Sequence, residues 1–221
     1  MRTIYEDDTK VAALTKTLVS VGHRILQIFK LARGDRKHVT ALLRHFNPSQ
    51  SARVLDAGCG IGEVAKLMAE ERPDLRFTLL NISPAQLALC PETMEKKEGR
   101  LEEMPFEDKR FDAVMMNYVL GHVDIEKAFR EMARVLRPSG VLFIYDMTAF
   151  PDLNRLVLVL KYKLFGWSSV IETAERHGFV LDRMSNPEAE IEDFSKIMPP
   201  KEIRELFATV RPVIYRFVNC K

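Results

Sequence analysis

Residues 54–62 read Val-Leu-Asp-Ala-Gly-Cys-Gly-Ile-Gly, and no other stretch limits the possible folds as tightly. A short apolar run (Arg53 to Leu55) ends in a carboxylate, Asp56. Glycines follow at 58, 60 and 62, and then a pattern of apolar residues at helical spacing begins. Glycines where a strand turns into a helix permit positive φ and let a ligand lie against bare backbone. A dinucleotide fingerprint, Gly-x-Gly-x-x-Gly, would need its third glycine at 63. That residue is Glu63, a carboxylate at the helix N-terminus where a pyrophosphate would have to sit. A ligand without phosphates and with a positive centre suits this loop better.

Around this turn, strand and helix signals alternate. Val11, Leu14, Leu18, Val21, Ile25, Ile28 and Phe29 recur at steps of three and four, which predicts an amphipathic helix over 9–31. A second helix is expected over 38–46, ending at Asn47-Pro48. Strand 52–57, helix 62–72, strand 75–81 and a helix from about 84 to 90 come next. A short strand is expected near 99–102 and another at 111–117. Helix 124–136 follows, with Asp124 as N-cap. The Pro138-Ser139-Gly140 turn leads into strand 141–146. The tail reads as helix 168–178, strand 180–184, helix 200–209 and strand 213–219. Alternation of this kind predicts βαβ units and a mostly parallel sheet in an α/β domain.

Composition sets the outer bounds. The chain has 221 residues, which suits one α/β domain with an extension. A net charge of +2 excludes a strong nucleic-acid field over the whole molecule. The first fifty residues nonetheless carry nine Lys/Arg against four Asp/Glu, densest at Arg33-Gly-Asp-Arg-Lys-His38. Cys59, Cys90 and Cys220 form neither a disulfide framework nor a CxxC pair, so a reduced, cytoplasmic protein is expected. The N-terminus lacks a signal-peptide core. The longest apolar run, Leu156 to Leu160, falls far short of the ~20 residues that span a bilayer. No metal-ligand set is expected.

The Val54–Gly62 run closely resembles motif I of class I S-adenosylmethionine-dependent methyltransferases. The resemblance covers about residues 38–221 and is strongest over 53–146. It implies a three-layer, Rossmann-like sheet of seven strands whose last strand inserts antiparallel beside the sixth. It divides the chain into an N-terminal helical cap (1–37) and a methyltransferase domain (38–221), with an apolar insertion at 151–167 on the substrate side. It also implies S-adenosyl-L-methionine as cofactor and S-adenosyl-L-homocysteine as product.

Site residues carry over motif by motif. Asp56, with Gly58, Cys59, Gly60 and Gly62, implies the methionine end of the cofactor pocket. Asn81 ends the second strand, where the family usually places Asp or Glu on the ribose hydroxyls. The run Asn81-Ile-Ser-Pro-Ala-Gln86 is similar to the Thr-Leu-Ser-x-x-Gln run of cyclopropane-fatty-acid synthases and geranyl-diphosphate C-methyltransferases. There the Gln shares the ribose contacts, and Ile82 would cover an adenine face. Gly99-Arg-Leu-Glu-Glu-Met-Pro-Phe106 matches the Gly-Asp-Ala-Glu-x-Leu-Pro-Phe run of ubiquinone/menaquinone-biosynthesis-type methyltransferases. With Arg100 in place of the Asp, adenine recognition passes to Leu101 or Glu102.

Asn117-Tyr-Val-Leu-Gly-His-Val123 follows strand four. Asn117 is expected at the cofactor, and Tyr118 and His122 at the reacting methyl group, His122 as base, hydrogen-bond donor or orienter of the loop. Gly121 stands where the cyclopropane synthases carry an acid, which argues against that chemistry. The expected function is methyl transfer to a C, O or N atom of a small, partly apolar molecule. The alternatives are methylation of RNA, DNA or protein, supported only by the basic N-terminal segment, and a cofactor-binding but inactive partner subunit. A homodimer is compatible with the apolar 151–167 segment.

Overall fold

The computed structural model describes residues 36–149, 155–157, 162–186 and 210–221. The expected helices at 9–31 and 200–209, residues 1–35 of the expected 1–37 cap, and residues 151–154 and 158–161 of the expected 151–167 insertion lie outside the described residues.

Helix α1 (Arg36–Phe46) buries Val39, Leu42 and Phe46 along one side, the spacing its sequence requires. Strand β1 (Arg53–Ala57) is buried from Val54 onward, as a strand covered on both faces must be. Helix α2 (Glu63–Glu71) buries Ala65, Leu67 and Met68. Strand β2 (Arg76–Asn81) leads into the one-turn helix α3 (Pro84–Leu87), whose N-cap Ser83 accepts from the Gln86 N–H at 3.3 Å. Strand β3 (Glu95–Glu98) and strand β4 (Phe111–Asn117) follow. Helix α4 (Ile125–Val135) starts at Asp124, which accepts from the Lys127 N–H as the sequence predicts. Strand β5 (Leu136–Ala149), the hairpin β6 (Arg155–Val157) and β7 (Tyr162–Leu164), helix α5 (Trp167–Arg176), and strands β8 (Phe179–Ser185) and β9 (Val210–Asn219) complete the order.

Seven strands form one sheet in the order β3-β2-β1-β4-β5-β9-β8. β1 through β5 pair in parallel, while β9 lies antiparallel between β5 and β8. One face packs Phe129, Met132, Phe179 and Phe217 with the residues of α4 and α5. The other packs Leu42, Phe46, Met68 and Phe143 with those of α1 and α2. This is the three-layer α/β sheet expected from the sequence, with the last strand inserted as the resemblance implied.

Two boundaries differ most from the expectation. The short strand lies at 95–98, not 99–102. Its sequence, Glu-Lys-Lys-Glu, has no apolar alternation because it is an edge strand, and charged edges resist pairing with other chains. Glu95 is held there by Thr78 at 2.8 Å and by Arg110 at 2.7 Å. Strand β5 begins at Leu136, directly after α4, and the Pro138-Ser139-Gly140 turn is absorbed as an irregularity in its pairing with β4. Ser139 takes up the kink at φ 62°. No helix among the described residues is long and apolar enough to cross a membrane.

Candidate active site

Parallel strands present their carboxyl ends on one edge of the sheet, and ligands of such sheets lie there, beside the point where strand order reverses. Here that point lies between β1 and β4. A cleft of about 220 Å³ opens over it, lined by Gly58, Gly60, Asn81, Ile82, Gln86 and residues 100–102, 117–119, 122 and 123.

The glycine loop is latched to the end of β2. The N–H groups of Gly58 and Cys59 both donate to the Leu80 carbonyl, at 2.9 and 3.0 Å. Gly58, Gly60 and Gly62 take φ of 85°, 57° and 76°. A Cβ built on Gly60 would meet nothing within 4 Å. Its glycine is therefore required by the backbone conformation, and any larger side chain would extend into the open cleft it lines. Asp56, just before this loop, is only 2% exposed. Burial, with a smaller contribution from Cys90, pushes its pKa up to about 8. A buried carboxyl of this kind ionises readily only when a cation comes to it.

Asn81 anchors the next corner. Its amide nitrogen donates to the Gly60 carbonyl at 3.0 Å and to Gln86 Oε1 at 2.8 Å, while its oxygen accepts from the Ile82 N–H at 2.8 Å. The expected pair Asn81 and Gln86 thus meets in space, and both side chains are nearly buried. One lone pair of Asn81 Oδ1 is still available to a ligand hydroxyl. Across the cleft, Leu101 is buried and Glu102 accepts from the Asp124 N–H at 3.2 Å. Arg100 reaches back toward Glu102 at 3.7 Å.

Asn117 ends β4. Both polar atoms of its side chain are buried and have no hydrogen-bond partner among the described residues. Such groups are costly to leave unmet, and this one lines the cleft. Tyr118 adopts φ 57°, a strained conformation for a non-glycine residue and one that clusters at functional sites. Its ring meets Tyr145 edge-on at 5.0 Å, and burial raises its hydroxyl pKa well above the ordinary value. The phenol is therefore neutral, a donor and not a base.

His122 sits in a single 3-10 turn, Leu120–His122. Burial lowers its pKa to about 4, so the imidazole is neutral at physiological pH and ill-suited to carry a proton away. Its ring packs edge-on against Tyr162 at 4.7 Å.

One residue of this region was missed in the sequence. Asp146, 1% exposed on β5, accepts from the N–H groups of Val119 and Leu120, both at 3.0 Å. It also accepts from the Met147 N–H at 2.7 Å and from the Tyr162 hydroxyl. Asp146 therefore fixes the loop bearing His122 and ties it to the β6–β7 hairpin. Burial raises its pKa to about 6 against the pull of those four donors. Gly121 is part of the same joint: a Cβ there would fall 2.4 Å from the Tyr162 ring. The signal was an acid closing the apolar run 141–145, legible to the same strand-end rule that found Asp56 and Asn117.

Of the residues expected at the site, the structure brings Gly58, Gly60, Asn81, Ile82, Gln86, Leu101, Glu102, Asn117, Tyr118 and His122 to one cleft. Asp56, Cys59 and Gly62 lie behind the lining. Phe165 and Trp167, which belong to the 151–167 segment expected on the substrate side, pack against the main core.

Residues 55–144 match the family described as Methyltransferase domain. The chain is 32% identical over 116 residues to a demethylmenaquinone methyltransferase of Thermotoga maritima, covering 51% of this chain and 49% of that protein. It is 31% identical to the chloroplastic 2-phytyl-1,4-beta-naphthoquinone methyltransferase of Arabidopsis thaliana, over 65% of this chain and 53% of that one. The chain thus spans about half the length of these two curated relatives. A geranyl diphosphate methyltransferase solved in complex with SAM superposes with a TM-score of 0.73 at 16% identity, covering 90% of each chain; at that identity the likeness is one of fold. Motif, sheet order and family match coincide: residues 55–144 are similar in sequence to the Methyltransferase domain family, and the sheet they belong to has the strand order that the resemblance implied.

Proposed function

We propose that this protein is an S-adenosylmethionine-dependent methyltransferase acting on a small, partly apolar molecule, working in a reducing, cytoplasmic compartment. The observation that carries the reading is the convergence of the glycine loop, the Asn81–Gln86 pair and the unmet amide of Asn117 on one cleft. Glycine at 60 leaves the floor open to a ligand, and buried Asp56 offers a carboxyl to an ammonium group. Asn81 and Gln86 suit ribose hydroxyls, Ile82 and Leu101 suit a flat base, and Asn117 suits a polar group at the donor's amino-acid end.

The cofactor supplies a methyl group on a positively charged sulfur. The chain's own part is to hold the acceptor in line and keep water out. His122, neutral, lines the acceptor side of the cleft and can donate or accept a hydrogen bond without adding charge, while Tyr118, its hydroxyl buried, shapes the same wall. Demethylmenaquinone, a phytyl naphthoquinone and geranyl diphosphate stand in the names of the similar proteins, so naphthoquinols and prenyl diphosphates head the acceptor screen. Calorimetric titration with S-adenosylmethionine, followed by transfer of a labelled methyl group to such acceptors, tests the reading. Absence of binding would overturn it. Binding without transfer to any acceptor would favour the inactive partner subunit.

A further inference from the structure

Two of the three cysteines meet beneath the cleft. Cys59 belongs to the glycine loop, and Cys90 follows α3. Each thiol points at the Gly60 carbonyl, Cys59 Sγ at 3.6 Å and Cys90 Sγ at 3.5 Å, so the two sulfurs flank one oxygen. Both are reduced. The Gly60 carbonyl also accepts from Asn81 Nδ2 at 3.0 Å. One carbonyl thus collects three donors, and two of them are thiols able to bond with each other.

We propose that Cys59 and Cys90 are an oxidation site, forming a reversible disulfide that weakens ligand binding in the adjacent cleft. The second half of this statement rests on the cleft being the methyl-donor site. A disulfide needs the sulfurs about 2 Å apart, closer than two thiols sharing an acceptor. Closing it removes both S–H donors from Gly60 and pulls the loop toward residue 90. Gly60, at φ 57°, is then held by Asn81 alone, and the floor of the cleft shifts.

The chemistry balances with a peroxide as oxidant. The Cys59 thiol and the Lys96 ammonium nearby lower the Cys90 pKa, so Cys90 is the better thiolate. It attacks the O–O bond, leaving a sulfenic acid, and the released hydroxide takes up a proton as water. The Cys59 sulfur then displaces the sulfenic oxygen, and its own proton leaves with that oxygen as a second water. In sum, two thiols and one hydrogen peroxide give one disulfide and two waters. Cys59 is held protonated, its pKa raised by Cys90 beside it and by burial. Oxidation of Cys90 changes the first of these and frees Cys59 to react. A ligand seated on the loop opposes the shift, so binding and oxidation disfavour each other.

The test uses the full chain carrying Cys220→Ser, which removes the exposed thiol. After hydrogen peroxide, the proposal expects a mass lower by two hydrogens, a peptide joining residues 59 and 90, and S-adenosylhomocysteine binding at least about tenfold weaker. A thiol reductant restores both mass and affinity, and prior S-adenosylhomocysteine slows the reaction. Cys90→Ala keeps its affinity through the same peroxide treatment. No 59–90 peptide, or that peptide with unchanged affinity, overturns the proposal. If the reduced protein binds no S-adenosylhomocysteine, the donor-site reading fails, while the mapped peptide still reports separately on the disulfide.

Discussion

The two sides of the cleft are built by different means. The side proposed for the methyl donor is local: residues 56–62 and 81–86 make its floor and corner by bonding to one another and to the adjacent strand end, Leu80. The side proposed for the acceptor is assembled at a distance. Loop 118–123 is held by Asp146 on the next strand, and Asp146 is met by Tyr162 from the hairpin beyond it. A local site is specified by backbone conformation, so its sequence is a motif. A site held from afar depends on one buried acid, which the sequence shows only as the close of an apolar run.

The strongest break of that contrast is Gly60→Val. The donor floor should lose S-adenosylmethionine affinity by about 100-fold or more, since the side chain enters the cleft and strains φ at a cost of about 1–3 kcal/mol. Far-ultraviolet circular dichroism should be unchanged. Native affinity by calorimetry would show that the loop is not the floor.

Asp146→Asn tests the acceptor side. Replacing the carboxylate puts an amide donor against backbone donors, which should cost about 1–3 kcal/mol of stability by urea unfolding. The rate of methyl transfer should fall more than donor affinity does. Equal losses in both would mean that the two sides are not separately held.

Asp56 and Asp146 set a pH dependence. Both have folded pKa values above the unfolded carboxylate range, about 8 and about 6. Their contribution to stability is complete below about pH 4 and is lost as pH rises through those values. Between pH 6 and 8 the stability of the ligand-free protein should fall, and Asp56→Asn should flatten that slope while weakening the donor. A slope unchanged in Asp56→Asn would reassign the effect. Binding S-adenosylmethionine at pH 7 should release a proton from Asp56, visible as a buffer-dependent heat.

The smallest effects separate the two histidine roles. With His122 neutral down to about pH 4, the transfer rate should show no inflection near pH 6.5. His122→Ala should lower the rate by about tenfold, below the 10²–10⁴-fold of a general base. An inflection at 6.5 lost in the variant would restore the base. Asn81→Ala should weaken the donor by about 1–2 kcal/mol, the scale of one or two lost hydrogen bonds.

Strand ends and helix caps were legible because they obey local rules. Asp124 caps α4, and Asp56, Asn81 and Asn117 close their strands where apolar runs stop. β3 was misplaced because Glu95–Glu98 is specified by its edge position and by Arg110 and Thr78, not by its own pattern. The 151–167 segment reads as a substrate-side insertion although its Phe165 and Trp167 pack against the core, because apolar composition does not tell a lining from a core. The joint of Gly121, Tyr162 and Asp146 required tertiary placement.

Strand β9 carries a consequence for the order in which the chain matures. It fills the gap between β5 and β8, yet leaves the ribosome after both. While β9 is missing, the nine positions of β5 from Val141 to Ala149 that will pair with it form an open edge. Asp146 lies on that edge. The parallel half, with its glycine loop, can close early, but the acceptor half waits for a strand that must enter between two others. A nascent chain stalled before β9 would therefore hold a donor floor without its counterpart, and would offer neighbouring chains a strand-length template for mispairing.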